Sequence, residues 1–134
     1  MPETLIKHRD ITGVTLHFTS EQINRMMLAM PDEQRRFAMA LAETIRQPHE
    51  IWQRWGRDIH DPKQWRQVRC YLQFLDLSDT DVEGGFGVAL MQFTHLDDWC
   101  LSGSGVVLGD KATVMEKINA EARQGSIEYS VSQQ

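Results

Sequence analysis

Residues 65–75 read Trp65-Arg66-Gln67-Val68-Arg69-Cys70-Tyr71-Leu72-Gln73-Phe74-Leu75, and this stretch decides the fold. Successive side chains of an extended chain point to opposite faces. Val68, Cys70, Leu72 and Phe74 therefore share one side, and Arg69, Tyr71 and Gln73 share the other. Upstream, Ile51 to Trp55 predicts a shorter strand, and Gly56 to Lys63 a loop holding Asp61-Pro62. Downstream, Leu77 to Gly85 is acidic and ends in two glycines, which predicts another loop. Phe86 to His95 and Trp99 to Leu108 then read as two strands turning tightly at Asp97-Asp98. Four strands in this order predict an antiparallel meander.

The flanks are of a different kind. Ile11 to Phe18 is β-branched and alternating, so it reads as an extended arm. Thr19 followed by Gln22 matches a capping box that opens a helix through Ile23, Met26, Met27 and Met30. Pro31 suits the first position of a second helix, with Asp32 and Glu33 near its positive end. Phe37, Leu41 and Ile45 keep helical spacing until Pro48. Asp110 caps a further helix running to about Gln124, with Val114, Ile118 and Ala122 inward and Gly125 at its end. Ser126 to Val131 alternates as a last edge strand. The expected architecture is α+β in one domain over 1–134. It has an extended arm (1–18), a helical part (19–47) and a sheet with one helix (49–131). In other words, N-terminal helices precede a four-stranded antiparallel meander, a C-terminal helix and a short final strand.

Length and composition agree with one sizeable core: 134 residues, 41% hydrophobic and 25% charged. No apolar run approaches the roughly 20 residues of a membrane span. The start, Met1-Pro2-Glu3-Thr4-Leu5, lacks the pattern of a secretory leader. The expectation is a soluble chain without membrane contact, placed in a host cytoplasm or associated with a virion. Cys70 and Cys100 form no metal or disulfide pattern and read as small buried hydrophobes of a reduced compartment. A bridge between them is open only if their strands are neighbours. The five histidines are scattered, and no phosphate loop, nucleotide fingerprint or zinc pattern is present, so neither cofactor nor metal is expected. The net charge of −5 counts against a protein holding nucleic acid by long-range attraction alone. The basic residues nevertheless cluster from Arg54 to Arg69, and the acidic ones around Asp76 to Glu83.

Several short motifs stand in a fixed order: Leu41-Ala42-Glu43-Thr44-Ile45, Pro48-His49-Glu50-Ile51-Trp52, Arg69-Cys70-Tyr71-Leu72, Trp99, and Arg123-Gln124-Gly125 with Tyr129. From Arg36 onward this run resembles the phage-associated branch of the Barnase–EndoU–colicin–RelE-like nucleases, found in Mu-type head morphogenesis proteins. The chain departs where that family has Thr-x-Phe, offering Ser102-Gly103-Ser104-Gly105-Val106. The resemblance implies a small antiparallel sheet with packed helices and metal-independent RNA cleavage, that is, a toxin-like endoribonuclease of phage or prophage aimed at host tRNA or other RNA.

Such cleavage uses the ribose 2′-hydroxyl as nucleophile and needs a base, a cation for the crowded phosphate and an acid. Arg69 is the candidate cation, with Tyr71 beside it on the same face. A two-residue turn pairs His95 with Cys100 and sets Phe93 opposite Ser102, so His95, Ser102 and Ser104 share a face. His95 suits proton transfer near neutrality, and the two serines suit a phosphate oxygen. Arg66, His60 and Arg123 are candidate substrate-binding residues. Lys7 and His8 join the site if the arm folds over the sheet. Each has a plainer alternative: a surface arginine, an exposed turn histidine, serines beside packing glycines, and a cation at a helix end for Arg123. Of Trp52, Trp55, Trp65 and Trp99, at least two are expected in the core, and the others are able to stack bases. Two other functions stay open. One is a phage particle module that has lost the site, with phage head proteins as partners. The other is a small acidic inhibitor of a basic protein, and a toxin would itself have a cognate immunity protein.

Overall fold

The computed structural model describes residues 4–58 and 60–131. The start Met1-Pro2-Glu3, and Ile59 within the expected 56–63 loop, lie outside the described residues. The elements in chain order are β1 (Leu5–Arg9), β2 (Thr15–Thr19), α1 (Ser20–Ala29), α2 (Asp32–Arg35), α3 (Met39–Arg46), β3 (Glu50–Arg57), β4 (Trp65–Asp76), β5 (Gly85–His95), β6 (Trp99–Asp110), α4 (Lys111–Glu121) and β7 (Ser126–Ser130).

The expected architecture, N-terminal helices followed by a four-stranded antiparallel meander, is corrected. Among the described residues the molecule is mostly sheet, a curled seven-stranded array in the order β1-β2-β6-β5-β4-β3-β7, carrying four short helices. The stretch from β3 to β6 does pair strand to strand, but it forms the interior of this larger sheet. The described part of the expected arm, residues 4–18, forms a hairpin. Asp10 accepts hydrogen bonds from the N–H groups of Thr12 (2.8 Å) and Val14 (2.9 Å), and Gly13 takes φ +95°. Only glycine adopts that conformation freely. The turn folds β1 back on β2, from Leu5↔Thr19 to Arg9↔Thr15. β2 then docks parallel to β6 at Leu16↔Trp99 and His17↔Cys100, which makes the sheet mixed. Burial of Leu16 and Phe18 drives that docking.

The helices lie on both faces. α1 to α3 cover one core built on Leu16, Phe18, Tyr71, Met91 and Phe93, with Leu41 and Ile45 from α3. α4 covers the other, where Val114, Ile118 and Ala122 meet Val68, Cys70, Leu72 and Val88. The Thr19–Gln22 capping box opens α1 as its residue types dictate. The second predicted helix breaks at residues 36–38. There Arg35 turns back to donate to the α1-end carbonyls of Met27, Leu28 and Met30. Cys70 and Cys100 are free thiols on strands separated by β5, which removes the bridge between them.

Gly125 does not end α4, which stops at Glu121. It makes the turn into β7 at φ +88°, where a Cβ atom would stand 2.1 Å from the Gln53 carbonyl oxygen. Gly125→Ala is expected to destabilise the protein by about 1–3 kcal/mol by prying β7 from β3. Urea denaturation of the two proteins measures this.

Candidate functional site

Arg69 projects from β4 into the face shared with Tyr71, as its alternation requires, but the residue is only 4% exposed. The Asp10 turn closes over it. The guanidinium donates through Nε to Tyr71 Oη (3.1 Å), through Nη1 to Gln53 Oε1 (2.6 Å), and through Nη2 to Thr12 Oγ1 (3.0 Å) and Asp10 Oδ2 (3.3 Å). Tyr71 Oη donates to the same Asp10 oxygen. The rings of Tyr71 and Trp99 each lie 5.7 Å from the guanidinium carbon. Burial acts to raise the Asp10 pKa. The hydrogen bonds from Tyr71, Thr12 and Val14, with the Arg69 charge, outweigh it and hold the carboxyl below its ordinary value. Burial keeps Tyr71 neutral far above the usual phenol range. His95 stands edge-on to Trp99 at 4.9 Å, so Arg69, Tyr71 and His95 occupy one face.

Ser102 is elsewhere. The hairpin turn has three residues, not two, so His95 pairs with Trp99, Thr94 with Cys100 and Phe93 with Leu101, and the register slips at Gln92/Phe93. Ser102 Oγ accepts from Thr94 Oγ1 (2.8 Å) and donates to the Gln92 carbonyl (3.3 Å), on the face opposite Arg69. Ser104 pairs with Met91 and lines a separate groove with Thr113 and Lys117 of α4. Lys7 and His8 border an apolar groove between β1 and α1/α3. Arg123 is clamped by Glu50, Nε to Oε1 at 2.8 Å and Nη2 to Oε2 at 3.1 Å, with Asn119 on its third nitrogen and Trp52 under it at 5.4 Å.

What the structure does bring together is Ser102, His60 and Arg66. They line a hollow of about 510 Å³ between the outer ends of β3–β4 and β5–β6, on the α4 side of the sheet. Arg54, Arg57, Thr94 and Gln92 complete the polar part of the wall. Three guanidiniums face one carboxylate, Asp58, in a chain of net charge −5. The His60 N–H (2.8 Å) and Arg66 Nε (3.1 Å) bind that carboxylate and hold its pKa below the ordinary value. Arg54 is steadied by donating to Cys70 Sγ at 3.0 Å, and burial pushes that thiol's pKa up. Arg54 and Arg57 carried a signal in the basic stretch 54–69. Thr94 and Gln92 carried none, because they stand opposite Val68 and Cys70 as ordinary alternating strand residues and only the fold sets them beside the arginines. Among the described residues, no group of three or more His, Cys, Asp or Glu side chains is placed to share a metal ion, and no helix is long and apolar enough to cross a membrane.

The family model described as phage-Barnase-EndoU-ColicinE5/D-RelE like nuclease 2 matches residues 3–99. It takes in the Asp10 turn, the Arg69–Tyr71 strand and the 54–66 basic stretch, and it begins well before Arg36. The Ser102–Ser104 segment and the Arg123–Tyr129 ending lie beyond it. No curated protein and no solved structure matches the chain.

Removing one partner of a buried ion pair strands the other charge, at a cost of about 3–5 kcal/mol. Asp10→Asn is therefore expected to lose about that much at neutral pH. Because folding depresses the Asp10 pKa, its contribution is complete above the unfolded value of about 4 and lost as pH falls through the folded value. Urea titrations across acidic pH are expected to show that component of the decline in the wild type and not in Asp10→Asn.

Proposed function

Since this chain belongs to the phage-Barnase-EndoU-ColicinE5/D-RelE like nuclease 2 family, we propose that its nuclease-like domain cleaves RNA by attack of the ribose 2′-hydroxyl, in the hollow walled by Arg54, Arg66, His60 and Ser102. The observation that carries this reading is the convergence of three guanidiniums, an imidazole and two hydroxyls on one hollow in an otherwise acidic chain. A polyanion has a place there and little attraction to most of the remaining surface.

The 2′-oxygen gives up its proton and bonds to phosphorus while the bond to the 5′-oxygen breaks. The departing oxygen takes up a proton. His60, exposed at the rim, is the group suited to moving those protons. Asp58 is a poor base, since its carboxylate is held ionised by Arg66 and the His60 N–H. Arg66 and Arg54 offer N–H groups to the two phosphate oxygens that gain charge, each able to hold them in a forked pair. Thr94 and Ser102, already bonded to each other, fix the phosphate's orientation. In this reading the cation role expected of Arg69 passes to Arg66, and Arg69 and Tyr71 hold β4 in place. All of these groups come from the chain itself, so the step needs no metal.

Purified protein incubated with single-stranded RNA in a chelator is expected to cut it, and a deoxyribose at the cut site is expected to block cleavage. Arg66→Ala and His60→Ala are each expected to slow cutting at least about 100-fold with little change in melting temperature, both side chains being at or near the surface. Uncut RNA with wild-type protein, or equal cutting by all three proteins, defeats the reading and leaves a phage module without activity.

A further inference from the structure

Two tryptophans are left unused by the core and by the hollow. Trp55 is 62% exposed and Trp65 is 53% exposed, although tryptophan is normally well buried. In the β3–β4 register Trp55 stands opposite Gln67 and Arg57 opposite Trp65. Paired residues and residues two apart point the same way, so Trp55, Arg57, Trp65 and Gln67 share one face of this ribbon, with Gln53 next along. The Arg57 guanidinium lies over the Trp65 ring at 4.9 Å. Arg57 also lines the hollow, so one side chain joins the two surfaces at the hairpin end. Beside Trp55 runs an open groove lined by Gln53, Gln67 and Ser126.

We infer that this ribbon is a stacking platform for the unpaired bases of a single strand. The inference rests on the nuclease reading for the kind of polymer, and on the exposed rings for how that polymer is held. Trp55 and Trp65 are diagonal neighbours, separated so that each offers its own face to a base. Gln67 and Gln53 supply amide groups to base edges, and Gln53 is already aligned by the Arg69 Nη1 bond to its Oε1 at 2.6 Å. Arg57 and the arginines of the hollow meet the phosphates. Charge complementarity favours this occupant over a protein. The rings are separated by glutamine and arginine rather than joined into an apolar patch, which is what a protein interface would bury at its centre. Bases in a duplex keep their faces covered, so the platform selects unpaired strands.

The test is fluorescence anisotropy with a labelled single-stranded oligodeoxyuridylate of about ten nucleotides, which lacks the 2′-hydroxyl and so reports binding alone. Trp55→Ala and Trp65→Ala are each expected to weaken binding about 5- to 100-fold. Trp55→Phe is expected to keep most of the affinity, and a duplex of the same length to bind more weakly than the single strand. Melting temperatures should stay near wild type, since both rings are outside the core. Wild-type binding by both alanine variants overturns the platform even if RNA is cut. Tryptophan-dependent binding without any cutting keeps the platform and defeats the nuclease reading. Loss of self-association on sedimentation in the alanine variants, with strand binding unchanged, makes the face a protein-docking surface and also overturns the inference.

Discussion

The fold turns on one carboxylate. Asp10 is fully enclosed and receives the N–H groups of its own turn, a threonine hydroxyl, a tyrosine phenol and a guanidinium. A carboxylate without such partners is too costly to enclose. With them it does two things at once. It shapes the turn that makes β1 and β2 a hairpin, and it fastens that hairpin to β4. The seven-stranded order follows, because β2 meets β6 at just two residues, Leu16 and His17, and the Asp10 cluster adds its hold to the burial of Leu16 and Phe18.

The same cluster explains why the two faces of the sheet differ in availability. The Arg69 side is closed by the Asp10 turn and by α1 to α3. On the opposite side α4 ends at Glu121 and covers the sheet only as far as Val68, and beyond that limit the arginines of β3 and β4 reach solvent. The arginines of the hollow therefore cluster at the end of a ribbon whose other surface carries Trp55 and Trp65. Glu50 and Arg123 close the molecule at its far edge and add no reactive group, because every nitrogen of that guanidinium has a partner.

Strong local patterns were legible in the sequence. The alternation of Val68 to Phe74, the Thr19 capping box and the Asp110 cap each rest on neighbours within a few residues, and each element stands where its pattern places it. The N-terminal hairpin was not legible. Leu5-Ile6-Lys7-His8-Arg9 has no buried face to alternate against, and the decisive partner of Asp10 lies 59 residues away. Arg69 and Tyr71 share a face as their alternation predicts, yet the pattern gives a direction and not a cover, so a buried arginine and an exposed one read alike. Ser102 changed faces for a different reason. A turn of three residues instead of two reverses the faces from Trp99 to Ser102, and the extra residue at Gln92/Phe93 restores the expected pairing from Gly103 onward. His60 and Arg66 were legible as part of a basic stretch, but the hollow that gathers them with Ser102 depends on the length of that turn.

The N-terminal hairpin's attachment has a consequence for how the chain reaches its native state. Adjacent strands from β3 to β6 are joined by short connections and can pair while the rest is still a coil. The hairpin has to find β4 and β6 across long intervening segments, and closing such loops carries an entropy cost that grows with their length. Closing the Gly13 turn over the sheet therefore carries a loop-closure cost that the pairing of β3 to β6 does not.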